Sequence, residues 1–152
     1  MVRRIPRRLA RTPVAVFRAG FGWVFGGVFV MVEHRGRRSG HLRYVVLESL
    51  DADATSVLVA AGYGRRAQWF RNIEADPRVR VWRGMTAGRR AIAQILPAEQ
   101  VADYLTRYRD AHPLRARFLA PVLGLGDLVG AEAGPEVGER LPLVRLTYVP
   151  RA

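Results

Sequence analysis

Between positions 34 and 43 the chain reads His34-Arg35-Gly36-Arg37-Arg38-Ser39-Gly40-His41-Leu42-Arg43, which gathers guanidinium groups, a hydroxyl and two glycines in one short stretch. Arg37, Arg38 and Arg43 offer positive charge and forked donors suited to phosphate or carboxylate oxygens. Ser39 adds a hydroxyl, and Gly36 and Gly40 permit positive φ and close approach of backbone N–H groups to a ligand. The chemistry on offer is anion binding. By composition a basic, glycine-containing tip is usually a solvated turn, so the decision rests on what surrounds it.

Other chemistries are excluded or disfavoured by residue usage. There is no Cys, so no disulfide, thiolate nucleophile or Cys-ligated metal can form, and redox work would need a bound cofactor. The three histidines, His34, His41 and His112, fit no helical metal-ligand pair; His34 and His41 read as residues flanking a turn, and no metal site is expected. The 25 basic residues outnumber the 13 acidic ones to give a net charge of +12, and every basic residue is Arg. Codon usage can explain Arg in place of Lys but not the excess of cations, which implies an anionic ligand, an anionic membrane surface or nucleic acid.

The elements that position the turn follow from periodicity. A chain of 152 residues with 49% apolar content is one domain with a real core. Val28 to His34 and Leu42 to Leu50 are strand-like runs on either side of the turn and predict a hairpin, with Asp51-Ala52-Asp53-Ala54 as the next turn. Ser56 to Ala61 predicts a third strand, broken by Gly62-Tyr63-Gly64. Arg66 to Ala75 reads as a short helix stopped before Pro77. Arg78 to Arg83 alternates, and after a turn at Gly84 and Gly88 a fifth strand runs from Arg89 to Leu96. Ala98 to Ala111 predicts a helix with Val101, Tyr104, Leu105 and Tyr108 on its apolar face. Leu114 to Leu123 predicts another, Gly124 to Leu141 a relatively acidic, mobile loop, and Leu143 to Val149 the closing strand.

The N-terminal segment 1–27 carries Arg3, Arg4, Arg7, Arg8, Arg11 and Arg18 before a charge-free run from Ala19 to Val32. That run is shorter than the roughly 20 apolar residues a span requires, and no small-x-small cleavage site follows it. A helix from Pro13 to Phe25 with Thr12 as N-cap fits better, with Val14, Phe17, Phe21 and Val24 at helical spacing beside a stripe holding Arg4, Arg8, Arg11 and Arg18. Such a helix either covers the barrel or lies on an anionic membrane.

Six strands joined mostly by short turns predict a mainly β fold with helices (α+β), an antiparallel barrel with helical covers. The order of the RGRRSG-type turn with Arg43 three residues on, the strand ending in Ala60-Ala61-Gly62-Tyr63-Gly64, the helix bearing Trp69-Phe70-Arg71-Asn72-Ile73 and the exit Ala75-Asp76-Pro77-Arg78-Val79 resembles the deazaflavin-dependent nitroreductase family. The resemblance implies a six-stranded split β-barrel of the FMN-binding-like kind over 28–152. It implies an oxidoreductase that takes hydride from reduced 8-hydroxy-5-deazaflavin (coenzyme F-420), whose tail carries a phosphate and a glutamate chain. The acceptor would be a small organic molecule such as a quinone, nitro or enone compound.

By the same resemblance Arg37, Arg38, Ser39 and Gly40 contact the phosphate and Arg43 supports the tail. Ala60, Ala61, Gly62 and Tyr63 let the ring lie close to backbone, Trp69 walls the pocket and Asn72 hydrogen-bonds the ligand or nearby backbone. Core packing for Trp69 and helix-end capping for Asn72 are the structural alternatives. The chain departs from the family at His34-Arg35, where two Thr are usual, and at Ala67, where Pro often precedes the Trp. Two other readings stay open: a membrane-associated fatty-acid or lipid-binding barrel without redox activity, and a basic nucleic-acid-binding module. A cytoplasmic protein, peripheral at the inner face of the membrane and able to pair with itself, completes the expectation.

Overall fold

Each strand-like run picked out by periodicity is a strand in the computed structural model, which describes residues 12–19, 27, 29–62, 64–111, 113–114 and 140–151. The strands are β1 (Phe29–Arg35), β2 (Leu42–Ala52), β3 (Ser56–Ala60), β4 (Arg78–Arg83), β5 (Thr86–Ile95) and β6 (Leu143–Tyr148). They close into an antiparallel barrel in the order β1-β2-β3-β6-β5-β4, with Met31, Val32 and Glu33 of β1 paired to Trp82, Val81 and Arg80 of β4. Closure leaves no free sheet edge. The hairpin around the arginine turn is in register from Phe29 opposite Glu48 to Arg35 opposite Leu42.

The period of two decides which side chains fill the barrel. Val30, Val32, Val57, Val59, Val79, Val81, Val144 and Leu146 point inward and are buried. The helix α2 (Gln68–Ala75) adds Trp69, Phe70 and Ile73 to the same core. On the alternate phase Leu50, Leu58, Ala60, Leu96 and Leu143 form a second cluster with Val101 and Tyr108 of α3 (Ala98–Ala111). Both faces of β3 are therefore covered, which is why its sequence is continuously apolar rather than alternating. The expected apolar face of α3 is the one that packs.

The helix α1 (Thr12–Arg18) covers the outer face of the first hairpin: Phe17 is buried and the Arg18 guanidinium lies 5.0 Å from the centre of the Tyr44 ring. Of the two roles read for this helix, these residues carry out the covering one. Its continuation to Phe25, the stripe of Arg4, Arg8 and Arg11, the predicted helix beyond Leu114 and nearly all of the loop Gly124 to Leu141 fall outside the described residues. No helix among the described residues is long and apolar enough to cross a membrane.

Boundaries shift where turn chemistry was misjudged. The β4–β5 turn lies at Gly84 and Met85, so β5 starts at Thr86, three residues before the expected Arg89. Gly88 is not in that turn. It sits within β5 at φ 61°, beside a register shift between Val81 and Arg83, and its absent Cβ leaves room for Trp82, whose ring would come within 3.2 Å. Arg66 belongs to a 3-10 turn (Gly64–Arg66) ahead of α2 rather than to the helix. Small differences at the ends of β1, β2, β3 and β6 amount to one or two residues.

Candidate functional site

The arginine turn is closed by its own backbone. Gly36 N–H donates to the His41 carbonyl and Gly40 N–H to the Gly36 carbonyl, each at 2.8 Å, and Gly40 takes φ 72°. Arg35 Nη1 donates to the Gly40 carbonyl at 2.9 Å, and His41 N–H to Ser39 Oγ at 3.2 Å. Gly36 is buried beneath the turn: a Cβ there would stand 2.8 Å from Ser39 Oγ and 3.1 Å from Arg43 Nε. A residue with a side chain would push both site groups aside. The backbone N–H groups of Arg38 and Ser39, at the tip, make no hydrogen bond among the described residues.

The turn is held to α2 through Asn72. Its Oδ1 accepts from the Arg37 backbone N–H at 3.1 Å and from Arg37 Nη1 at 2.9 Å, while Arg37 Nη2 donates to Gln68 Oε1 at 3.1 Å. Gln68 and Asn72 are four apart on the helix and so present one face to the turn. The remaining side of the Asn72 amide, Nδ2, lies 3.1 Å from His34 Nδ1. Asn72 is 3% exposed and His34 4%. Burial, and then the nearby charge of Arg43, lower the His34 pKa to about 4, so the ring is neutral at ordinary pH.

A concavity of about 240 Å³ opens at this junction, lined by Gly36, Arg37, Arg38, Ser39, Arg43, Gln68 and Asn72. Among the described residues no apolar side chain contributes to it. Arg37 is committed to Asn72 and Gln68, whereas the guanidinium groups of Arg38 and Arg43 are exposed and have no partner among the described residues. Two free cations, free tip N–H groups and a hydroxyl around a polar hollow can hold an anion such as a phosphate. A second concavity, of about 360 Å³, lies on the other side of His34 over β1, β4 and β5, where Arg78 and Arg80 are already paired with Asp76 and Glu33.

The expected site residues thus separate into two groups. Arg37, Arg38, Ser39, Arg43 and Asn72 meet at the concavity, and Gly40 shapes the turn beside it. Trp69 is 6% exposed and packs edge-on against Phe70, ring centres 5.9 Å apart, within the barrel core; of its two readings, this contact is core packing. Asn72 is a clamp between turn and helix rather than a helix cap by its side chain. Ala60 lies in the cluster under α3 and Ala61 in the barrel core, while Gly62 is exposed; none of the three lines the concavity, and Tyr63 falls outside the described residues. Gln68 and the part played by His34 escaped the sequence reading, and Gly36, read there as a residue of positive φ offering its N–H to a ligand, instead has no positive φ and gives that N–H to the His41 carbonyl. The signals were there: Gln68 is four residues from Asn72, and His34 continues the inward phase of Val30 and Val32 instead of flanking the turn. Among the described residues no group of acidic or histidine side chains could hold a metal ion.

Likeness to known proteins is found at the level of family and of fold. The profile of the family described as F420H(2)-dependent quinone reductase matches residues 8–118. No curated protein matches. Among solved structures, an F420-H2 dependent reductase (FDR-A) superposes with a TM-score of 0.50 at 19% identity, over 78% of this chain and 93% of its own. A putative pyridoxamine 5'-phosphate oxidase from Listeria innocua gives a TM-score of 0.54 at 8% identity, over 89% and 94%. A domain-swapped dimer gives 0.51 at 18% identity, over 89% and 99%. At such identities the structural likeness is one of fold, the split barrel.

Proposed function

Because the chain belongs to the F420H(2)-dependent quinone reductase family, a family of oxidoreductases, we propose that it passes a hydride from reduced deazaflavin to a small organic acceptor of the quinone, nitro or enone kind. The observation that carries the reading is the polar concavity at the turn, where Arg38 and Arg43 stand unpaired beside an immobilised Arg37. Its residues fit the anionic tail of that cofactor: cationic and hydroxyl donors without an apolar wall suit phosphate and carboxylate oxygens and do not suit a planar ring. A net charge of +12 favours the approach of such a polyanion.

When bound, the reduced deazaflavin supplies the hydride. The chain's residues bind and align. Arg38 and Arg43 hold the tail, with Ser39 donating its hydroxyl, and Asn72 and Gln68 keep the Arg37 guanidinium against α2 so that the turn does not close over the hollow. The ring is assigned to the small-residue end of β3, at Ala60, Ala61 and Gly62, of which Gly62 is the exposed one and the two alanines are buried beside it. Trp69 acts on that end indirectly, by fixing α2 in the core. No acid–base residue is assigned, since alignment of donor carbon and acceptor is the contribution required of the protein.

The test mixes the protein with reduced deazaflavin coenzyme and a naphthoquinone, following the return of the oxidised coenzyme's fluorescence. Oxidation that needs both protein and quinone, and that reduced FMN cannot replace, is the expected result. Equal turnover with reduced FMN, or none with quinone, nitro and enone acceptors alike, would refute the reading.

A further inference from the structure

The hydrogen bonds around Asn72 settle more than the position of the turn. Arg37 presents only donors to this side chain, its backbone N–H at 3.1 Å and Nη1 at 2.9 Å, so the amide must turn its oxygen toward Arg37. Its nitrogen then faces His34 Nδ1 at 3.1 Å. An amide nitrogen donates, so Nδ1 must accept with its lone pair, and the ring proton resides on Nε2. Both side chains are buried, where an unmet donor or acceptor is expensive. A hydroxyl in this place could donate or accept and would not discriminate between the two ends of the amide, whereas a neutral histidine whose Nδ1 only accepts does so.

We propose that His34 is a positioning residue of the anion turn: by accepting from Asn72 Nδ2 it holds Oδ1 on the Arg37 backbone and guanidinium, and so keeps the turn in the geometry that presents Arg38 and Arg43. This rests on reading the turn as the site of the cofactor's anionic tail. The relay runs from β1 through α2 to the turn, three residues joined by a buried contact between His34 and Asn72 and a part-buried one between Asn72 and Arg37. His34 is not itself among the residues that line the concavity and reaches it only through Asn72.

The test uses the full chain and two readouts. Asn72 is the only Asn in the sequence, so asparagine labelled with nitrogen-15 gives one side-chain amide signal, and labelled histidine reports which ring nitrogen carries the proton. A proton on Nε2 with an unprotonated Nδ1 is expected near neutral pH; a protonated Nδ1 overturns the proposal. Titrations with inorganic pyrophosphate and with the deazaflavin coenzyme then compare His34→Leu, His34→Asn and Arg38→Ala. His34→Leu should raise both dissociation constants about fivefold, the equivalent of one net hydrogen bond, with kcat at saturating coenzyme unchanged. His34→Asn, which puts an oxygen acceptor close to the place of Nδ1, should bind within about twofold of wild type on the same scale. In an Asn72→Ala background His34→Leu should add nothing further. Wild-type affinity in folded His34→Leu, with Arg38→Ala impaired, would sink the positioning role and leave the site reading intact. Unchanged affinity in Arg38→Ala would sink both. If Asn72→Ala does not fold, the tautomer and the Leu against Asn comparison decide.

Discussion

Arg38 and Asn72 illustrate two different uses of a polar side chain at one site. Arg38 is exposed and unpaired, so Arg38→Ala should leave the fold unchanged and weaken coenzyme binding by about 1.5–3 kcal/mol, the range for a hydrogen bond to a charged group. Calorimetric titration beside a thermal melt checks both halves. Asn72→Leu should do the reverse first: it strands the Arg37 backbone N–H and the His34 ring, and losing such partners costs about 1–3 kcal/mol per buried group. The buried His34 adds a pH signature. Its pKa falls from an ordinary 6.5 to about 4 in the folded protein, so below pH 6.5 the unfolded chain takes up a proton that the folded one refuses. Its stabilising contribution is complete above pH 6.5 and is lost as the pH falls toward 4, by an amount on the order of 3 kcal/mol. His34→Asn has no such group, and the difference in stability between the two proteins should stop changing with pH above about pH 7. At this scale the residue types of the turn were legible because guanidinium chemistry is local. The commitment of Arg37 and the role of His34 were not, since both depend on partners more than thirty positions away.

For the elements, β4 and α3 were read with their observed ends and the barrel with its six strands, because alternation and an apolar helical stripe are properties of the local sequence. Gly88 misled: a glycine four residues after Gly84 reads as the far end of one turn, yet here it relieves contact with Trp82 from inside a strand. Gly88→Val should therefore destabilise the β4–β5 hairpin, both through its φ of 61° and through the Trp82 ring, and a lowered melting temperature with quenched protection of β5 amides in hydrogen exchange would report it. The helix α2 was legible as a unit, but not the division of labour on it. Trp69 and Asn72 lie three apart and share a face, though one enters the core and the other meets the turn. Trp69→Ala should cost about 3–5 kcal/mol of stability. Any fall in turnover should track the unfolded fraction; a slower hydride step in fully folded variant would instead place Trp69 against the reacting ring.

At the scale of the molecule, the excess of positive charge has two proposed outlets, the cofactor tail and an anionic membrane under the N-terminal segment. The second is tested by replacing Arg3, Arg4, Arg7 and Arg8 with Ala, since deletion through Arg18 would also remove Phe17 from its buried position. Loss of co-sedimentation with anionic vesicles is expected, and equal sedimentation of the two proteins contradicts it. Fold class was open to the sequence because six short-linked strands admit few topologies, and the family because the turn, the small-residue strand end and the tryptophan helix occur in one order. The acceptor was not, as a cationic turn suited to phosphate and carboxylate oxygens says nothing about the molecule that takes the hydride. The central claim is that the arginine turn holds the anionic tail of a deazaflavin. Its most direct test is a fluorescence titration of wild type and the Arg38→Ala/Arg43→Ala double variant with the coenzyme at low and high salt. Tight, salt-sensitive binding by wild type, with weaker and less salt-sensitive binding by the folded double variant, is the predicted result. Identical dissociation constants and identical salt dependence in the two proteins would contradict it.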